Sequence, residues 1–167
     1  HALFSTLIQS WRDEWQQQLP FLYVQLASYL QPKAQPAASK WAELREAQFQ
    51  TLQLPATAMV VTTDLGDANN IHPARKKPVA ERLWLAARRT VFGEDILASG
   101  PVFRSLQIEG TQLRLNFEQV GTGLYSKDGA LRGFAIAGRD GKYHNAHAKL
   151  EDNAVLLWSD KVAKPVS

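Results

Sequence analysis

Thr62-Thr63-Asp64-Leu65-Gly66-Asp67-Ala68-Asn69-Asn70-Ile71-His72-Pro73 joins an apolar run, Ala58-Met59-Val60-Val61, to a helical pattern that opens at Pro78. A strand, a polar Gly-containing connection and a helix in that order are the parts of an open α/β sheet. In such sheets the carboxyl ends of the strands collect ligand-handling groups. A histidine with carboxylates a few residues upstream has the parts of a base and the group that orients it. No nucleophile is evident beside His72.

Upstream, Leu3, Phe4, Leu7, Ile8, Trp11 and Trp15 recur at helical spacing and predict one wide apolar stripe, with Arg12, Asp13, Glu14 and residues 16–18 on the other side. Pro20 is expected to end that helix. Phe21-Leu22-Tyr23-Val24-Gln25-Leu26-Ala27 reads as a strand buried on both faces. Helix, short break and apolar strand in succession predict a parallel α/β sheet. Residues 29–39 contain Pro32, Pro36 and Ser39 and read as a loop or lid. Ser39 is placed to cap a following helix, with Glu43 in its first turn. On that helix Trp41, Leu44, Arg45 and Gln48 share a face. It is either an amphipathic surface or a face that projects Arg45 and Gln48 into a pocket.

Downstream, Pro78 suits the first turn of a helix whose buried stripe is Val79, Leu83, Ala86, Ala87 and Val91, closed by Gly93. Residues 93–101 read as a linker. Beyond Pro101 the pattern shortens to strand candidates at 102–108, 112–117, 131–137 and 155–158. Gly110, Gly121, Gly123, Asp128-Gly129 and Asp140-Gly141 punctuate them. Leu113, Leu115 and Phe117 alternate with Arg114 and Asn116, the period of a half-buried strand. The prediction is a small antiparallel β domain, sandwich-like and incomplete.

The chain has 167 residues, 45% of them hydrophobic and 21% charged, which describes a globular protein of one domain or one and a small second. A net charge of +3 is too weak, and the basic residues too scattered, to point to nucleic acid. Arg75-Lys76-Lys77 and Arg88-Arg89 read as solvated surface. With no cysteine, neither a disulfide framework nor a thiolate metal site is possible. No apolar run has membrane-spanning length. The chain opens at His1 directly in a helical pattern, and we read it as a piece of a longer polypeptide.

The bland readings of the same residues are definite. His72 can be a structural loop histidine, and Asp64 and Asp67 turn formers. Asp64, Asp67, Asn69 and Asn70 offer oxygens to calcium but lack the bidentate Glu of a calcium loop. His144 and His147 have a metal-like separation without Cys or a carboxylate cluster, so no metal site is assigned. Gly121-Thr122-Gly123 lacks strand-to-helix context and reads as a turn.

Several blocks taken together resemble a known family. Val24-Gln25-Leu26-Ala27, Trp41 to Gln48, Thr63-Asp64-Leu65-Gly66-Asp67 and Ile71-His72-Pro73 are similar to the sialate O-acetylesterase-like carbohydrate esterases of the SGNH hydrolase superfamily. The similarity runs on through Lys76, Arg82-Leu83, Ser99-Gly100-Pro101, the Gly121 to Leu124 turn, Gly133-Phe134 and Ala137-Gly138, in order and over nearly the whole chain.

The resemblance implies a serine esterase that removes acetyl groups from sugars and needs no cofactor. Its Gly-Gln-Ser-Asn nucleophile block and its Gln-Gly-Glu-Ser-Asn oxyanion block lie upstream and are not in this sequence. The implied fold is the C-terminal half of a three-layer α/β/α, flavodoxin-like SGNH hydrolase domain over residues 1–98, followed by the β-rich domain over 99–167. His72 is implied as the catalytic base. The superfamily's usual Asp three residues before it is Asn69 here, which leaves Asp67, then Asp64, then a Ser-His dyad as the orienting arrangement. Arg45 and Gln48, and more weakly Gln25, are implied to face the sugar. The implied partners are an acetylated carbohydrate and the N-terminal half of the same enzyme, without which this chain is expected to be inactive. Family analogy implies a secreted or periplasmic location. The competing expectation is a noncatalytic carbohydrate-binding or interaction module that retains the fold.

Overall fold

A computed structural model describes residues 1–127 and 129–167; Asp128, read above as part of a turn, lies outside the described residues. The chain divides into two compact units, one of His1–Pro32 with Ser39–Ser99, the other of Lys33–Ala38 with Gly100–Ser167. Part of the stretch read as a loop or lid thus groups with the second unit.

The first unit opens with α1 (Ala2–Trp15), which stops where Gln16 turns into the left-handed region at φ 52°, ahead of Pro20. Its inward row is half-buried Phe4 with buried Ile8 and Arg12, one helical turn apart. Ile8 is fully buried, and Phe4 meets Tyr23 edge to face with ring centroids 4.9 Å apart. The expected wide stripe is therefore narrower: Leu3, Leu7, Trp11 and Trp15 are at least half exposed, and Arg12, expected on the polar side, is only 3% exposed. The reason is local. Arg12 donates from Nε to the Leu19 carbonyl (3.0 Å) and from Nη2 to the Pro55 carbonyl (2.7 Å), and its guanidinium lies over the Phe21 ring. It ties the approaches to two strands together.

Those strands, β1 (Phe21–Val24) and β2 (Thr57–Val60), pair in parallel with Phe21 opposite Thr57 and Val24 opposite Val60. Val61 lies outside the strand. Between them runs α2 (Lys40–Gln50), whose cap is Ser39: its hydroxyl accepts the Ala42 N–H at 3.2 Å. Parallel neighbours need a crossover connection of this kind. After β2 comes α3 (Lys76–Thr90), which packs on both strands. It starts two residues before Pro78, and Gly93, with φ +70°, follows its end. Of its expected stripe, Ala86 is buried, whereas Val91 is 45% exposed because the helix has ended by that point.

The second unit is antiparallel. β3 (Val102–Glu109), β4 (Gln112–Glu118), β7 (His147–Glu151) and β8 (Ala154–Trp158) form a sheet in the order β3-β4-β8-β7, and β5 (Ala135–Ala137) pairs with β6 (Tyr143–Asn145). Leu113, Ile136, Val155, Leu157 and Val162 make one core with contributions from both sheets. The strand expected over 131–137 shortens to three residues, since Gly133 sits at φ +85°. The Gly121 to Gly123 segment is a turn, with the Gly123 N–H on the Val120 carbonyl at 2.9 Å. Among the described residues no helix is long and apolar enough to cross a membrane.

Candidate active site at the strand ends

The carboxyl ends of β1 and β2 lead into residues 25–31 and 61–72, and the two connections are bonded to each other. Thr62, buried, donates its hydroxyl to the Gln25 carbonyl at 2.8 Å. The Leu30 N–H reaches the Ala68 carbonyl at 3.1 Å, and Gln31 Nε2 reaches Asn69 Oδ1 at 3.2 Å. Gly66 makes this approach possible. A Cβ built there would lie 2.1 Å from the Ser28 carbonyl oxygen and 2.6 Å from its nitrogen. Its φ of −70° is ordinary, so glycine is required by closeness and not by backbone conformation.

α2 holds the first connection from its other side. Gln48 accepts the Leu26 N–H at 2.9 Å and donates to the Val24 carbonyl at 3.3 Å. Arg45 donates from Nε to Leu26 O (2.9 Å) and from Nη2 to Ala27 O (3.2 Å), and burial lowers its pKa. Trp41 Nε1 adds a bond to Ala27 O at 2.8 Å, and Gln25 Nε2 one to Arg45 O at 3.2 Å. Irregular backbone at a strand end leaves donors and acceptors without ladder partners, and these side chains supply them. The three residues named as sugar-facing thus make their named bonds to backbone. Nη1 of Arg45 takes no part in them.

The histidine connection is shaped by two Asx turns. Asp67 Oδ1 accepts the Asn69 N–H at 2.8 Å, and Asn70 Oδ1 accepts the His72 N–H at 2.8 Å. His72 itself is exposed, and among the described residues its ring has no hydrogen-bond or ion-pair partner. Asp64 is engaged elsewhere. Its two oxygens take Nη1 and Nη2 of Arg82 at 2.7 and 2.6 Å, and Nη1 also reaches the Val61 carbonyl at 2.7 Å. That fork holds the Asp64 carboxyl below the usual carboxylate range. Asp67 is exposed and keeps Oδ2 outside its turn bond.

The structure therefore brings His72, Asp67 and Asp64 into one connection, and gathers Arg45, Gln48 and Gln25 at the end of β1. The oxygens weighed for calcium are each turned to a separate partner. Arg82 and Asn70 carry roles that pattern reading did not assign. Asn70 was legible, because an Asn two residues before a histidine is Asx-turn spacing. The Arg82 fork was not, since 18 residues separate it from Asp64.

His147 stacks on Trp158 at 5.5 Å and lies 4.0 Å from an oxygen of Asp160, the carboxylate that spacing did not anticipate. Among the described residues no group of three or more His, Asp or Glu is placed to hold a metal ion.

No protein-family model matches the chain. It is similar to sialate O-acetylesterases: 31% identical to the rat protein over 139 residues and 29% to the mouse protein over 137, each match taking in 71% of this chain. The human protein is 30% identical over 125 residues. The chain spans about a quarter of the length of these relatives. In three dimensions, 98% of it superposes on 38% of a carbohydrate acetylesterase from Xanthomonas citri, with a TM-score of 0.91 and 42% identity. By sequence and by its mixed α/β fold, this chain is a sialate O-acetylesterase-like relative of the carbohydrate acetylesterases over the portion they share.

Proposed function

We propose that the chain is the histidine-bearing part of a secreted or periplasmic carbohydrate O-acetylesterase of the SGNH type. The nucleophilic serine comes from polypeptide outside these residues. The observation that carries this reading is His72. It is an exposed imidazole that has no partner among the described residues, on a connection pinned by Asn70, Asp67, Thr62 and Gly66, in a chain that superposes almost entirely on a carbohydrate acetylesterase.

A serine hydroxyl is a weak nucleophile until a base takes its proton. One ring nitrogen of His72 accepts that proton as the serine oxygen bonds to the acetyl carbonyl carbon. The resulting imidazolium returns the proton to the sugar oxygen as the acyl C–O bond breaks. Water, deprotonated by the same ring, then cleaves the acetyl-serine and releases acetate. Asp67 is the carboxylate we assign to orient the ring through its other nitrogen, because Asp64 is already held by Arg82. Arg45 faces the sugar through Nη1, while Gln48 and Gln25 support the backbone beside it.

Two further features support an N-terminal partner from the same enzyme. A two-stranded parallel sheet is not self-sufficient, since parallel strands are normally buried within larger sheets. The exposed row Leu3, Leu7, Trp11 and Trp15 on α1 is an apolar face of the kind that marks an interaction surface.

The test is hydrolysis of an acetylated sugar by the complete enzyme. His72→Ala should lower kcat by about 10³-fold or more, and Asp67→Asn by roughly 10²-fold. The 167-residue chain alone should release no acetate. Near-normal turnover by the His72 variant removes the residue from this role. Failure of the complete protein to form a covalent organophosphonate adduct favours a noncatalytic carbohydrate-binding module.

A further inference from the structure

In the second unit, the turn between β5 and β6 faces the segment that follows β8 across an open cleft of about 280 Å³. Its lining includes Arg139, Asp140, His144, Lys161 and Lys164. Both walls are firmly held. On one side the Gly141 N–H closes on the Gly138 carbonyl at 3.0 Å, Asp140 Oδ1 accepts the Lys142 N–H at 3.2 Å, and His144 lies in register with Ile136. On the other, Val162 and Pro165 are buried, and the Val166 N–H reaches the Ala137 carbonyl at 2.8 Å. The cleft is thus built on backbone bonds and core anchors, although most of the side chains that line it are polar.

Its charge is unbalanced. Arg82, Arg88 and Arg114 each have a carboxylate partner, whereas Arg139, Lys161 and Lys164 form no ion pair among the described residues. Three unpaired cations around one cleft attract an anion, and a guanidinium matches a carboxylate as a two-pronged donor. Asp140 narrows the choice of ligand. A carboxylate among the cations repels a multiply charged phosphate but accepts hydrogen bonds from neutral hydroxyls, with Oδ2 outside its turn bond. The size falls just below the range of drug-sized pockets, which suits a single sugar ring.

We propose that this cleft binds an acidic monosaccharide unit, with its carboxylate on Arg139 and the two lysines and its hydroxyls on Asp140 and His144. None of these residues belongs to the unit that carries His72, so the inference does not rest on the esterase reading.

The experiment is a titration of the isotope-labelled complete protein with methyl glucuronide, following backbone amide shifts. Methyl glucoside and acetate serve as the neutral-sugar and bare-carboxylate probes. Shifts should concentrate in residues 138–144 and 159–166 and report millimolar affinity. Arg139→Gln should weaken binding about tenfold, and adding Lys164→Gln should abolish it, while Arg104→Gln leaves it unchanged. All three positions are exposed, so the variants keep the fold. Absence of shifts at tens of millimolar glucuronide overturns the proposal. So do equal shifts from methyl glucoside, equal shifts from acetate, or binding that survives the double substitution.

Discussion

Replacing Gly66 by Ala puts one methyl group where two connections touch. The new carbon would lie 2.1 Å from Ser28 O, 2.6 Å from Ser28 N and 2.7 Å from Ser28 C, all of them backbone atoms. A side chain could swing aside, but here the segments at residues 28 and 66 must separate by more than about 1 Å to reach ordinary contact. That displacement strains the neighbouring bonds between Leu30 and Ala68 and between Thr62 and Gln25. Overpacking at its upper range costs about 3 kcal/mol. For a chain of this size, that corresponds to a fall in Tm of about 6–12 °C. Because the same segment carries His72 six residues on, the complete enzyme should also lose activity, by roughly 10²-fold for a displacement of about 1 Å. The assay pairs thermal unfolding with acetate release and uses Gly100→Ala as control, since nothing lies within 4 Å of a Cβ at Gly100. Equal Tm and turnover for Gly66→Ala and wild type would show that the two connections are not in this contact.

Arg12→Leu leaves the carbonyls of Leu19 and Pro55 without their donor, and chemical denaturation should show a loss of about 3 kcal/mol. Asp64→Asn breaks an exposed fork worth at most about 1 kcal/mol. Because the folded-state pKa of Asp64 is depressed, its contribution is fully present above the unfolded value near pH 4 and fades as pH falls through the folded value. The variant's stability should therefore differ from wild type at neutral pH and converge with it in stronger acid, as read by urea midpoints across that range. Gln48→Ala removes the partner of the Leu26 N–H and of the Val24 carbonyl and should cost about 2 kcal/mol, measured by the same denaturation.

The features legible in the sequence were those controlled by near neighbours along the chain. Ser39 as a cap, a strand within the apolar run Ala58 to Val61 and the turn at Gly121 each follow from a few adjacent residues. Arg12 was misassigned because periodicity sorts residues by polarity. A guanidinium that satisfies two distant carbonyls belongs with the buried row despite its charge. β6 and β7 fall outside the four strand candidates, since Tyr143–Asn145 and His147–Glu151 are short and polar and their strand character comes from pairing. At the candidate site the histidine and its carboxylates were visible as a cluster. The division of labour between Asp64 and Asp67 was not, because it depends on Arg82 arriving from α3.

That division bears on how such a site can work. The bonds that position the His72 connection run between backbone atoms and the side chains of Thr62, Asp67 and Asn70, or join Gln31 to Asn69, and among the described residues none engages the imidazole. The scaffold is thus fixed while the ring and Oδ2 of Asp67 stay open to partners. A base already bonded to a fixed acceptor would have to break that bond before taking a proton. An open ring on a rigid connection needs only a hydroxyl brought within about 3 Å and a carboxylate turned toward its other nitrogen. The Arg82 fork keeps both oxygens of Asp64 engaged, which leaves Asp67 with the open carboxylate oxygen. On the esterase reading, Arg82→Ala should therefore disturb turnover through a misplaced Asp64, and Arg82→Ala with Asp64→Asn should recover much of the loss. A double variant no better than the single would place the effect of Arg82 in its bond to Val61 O instead.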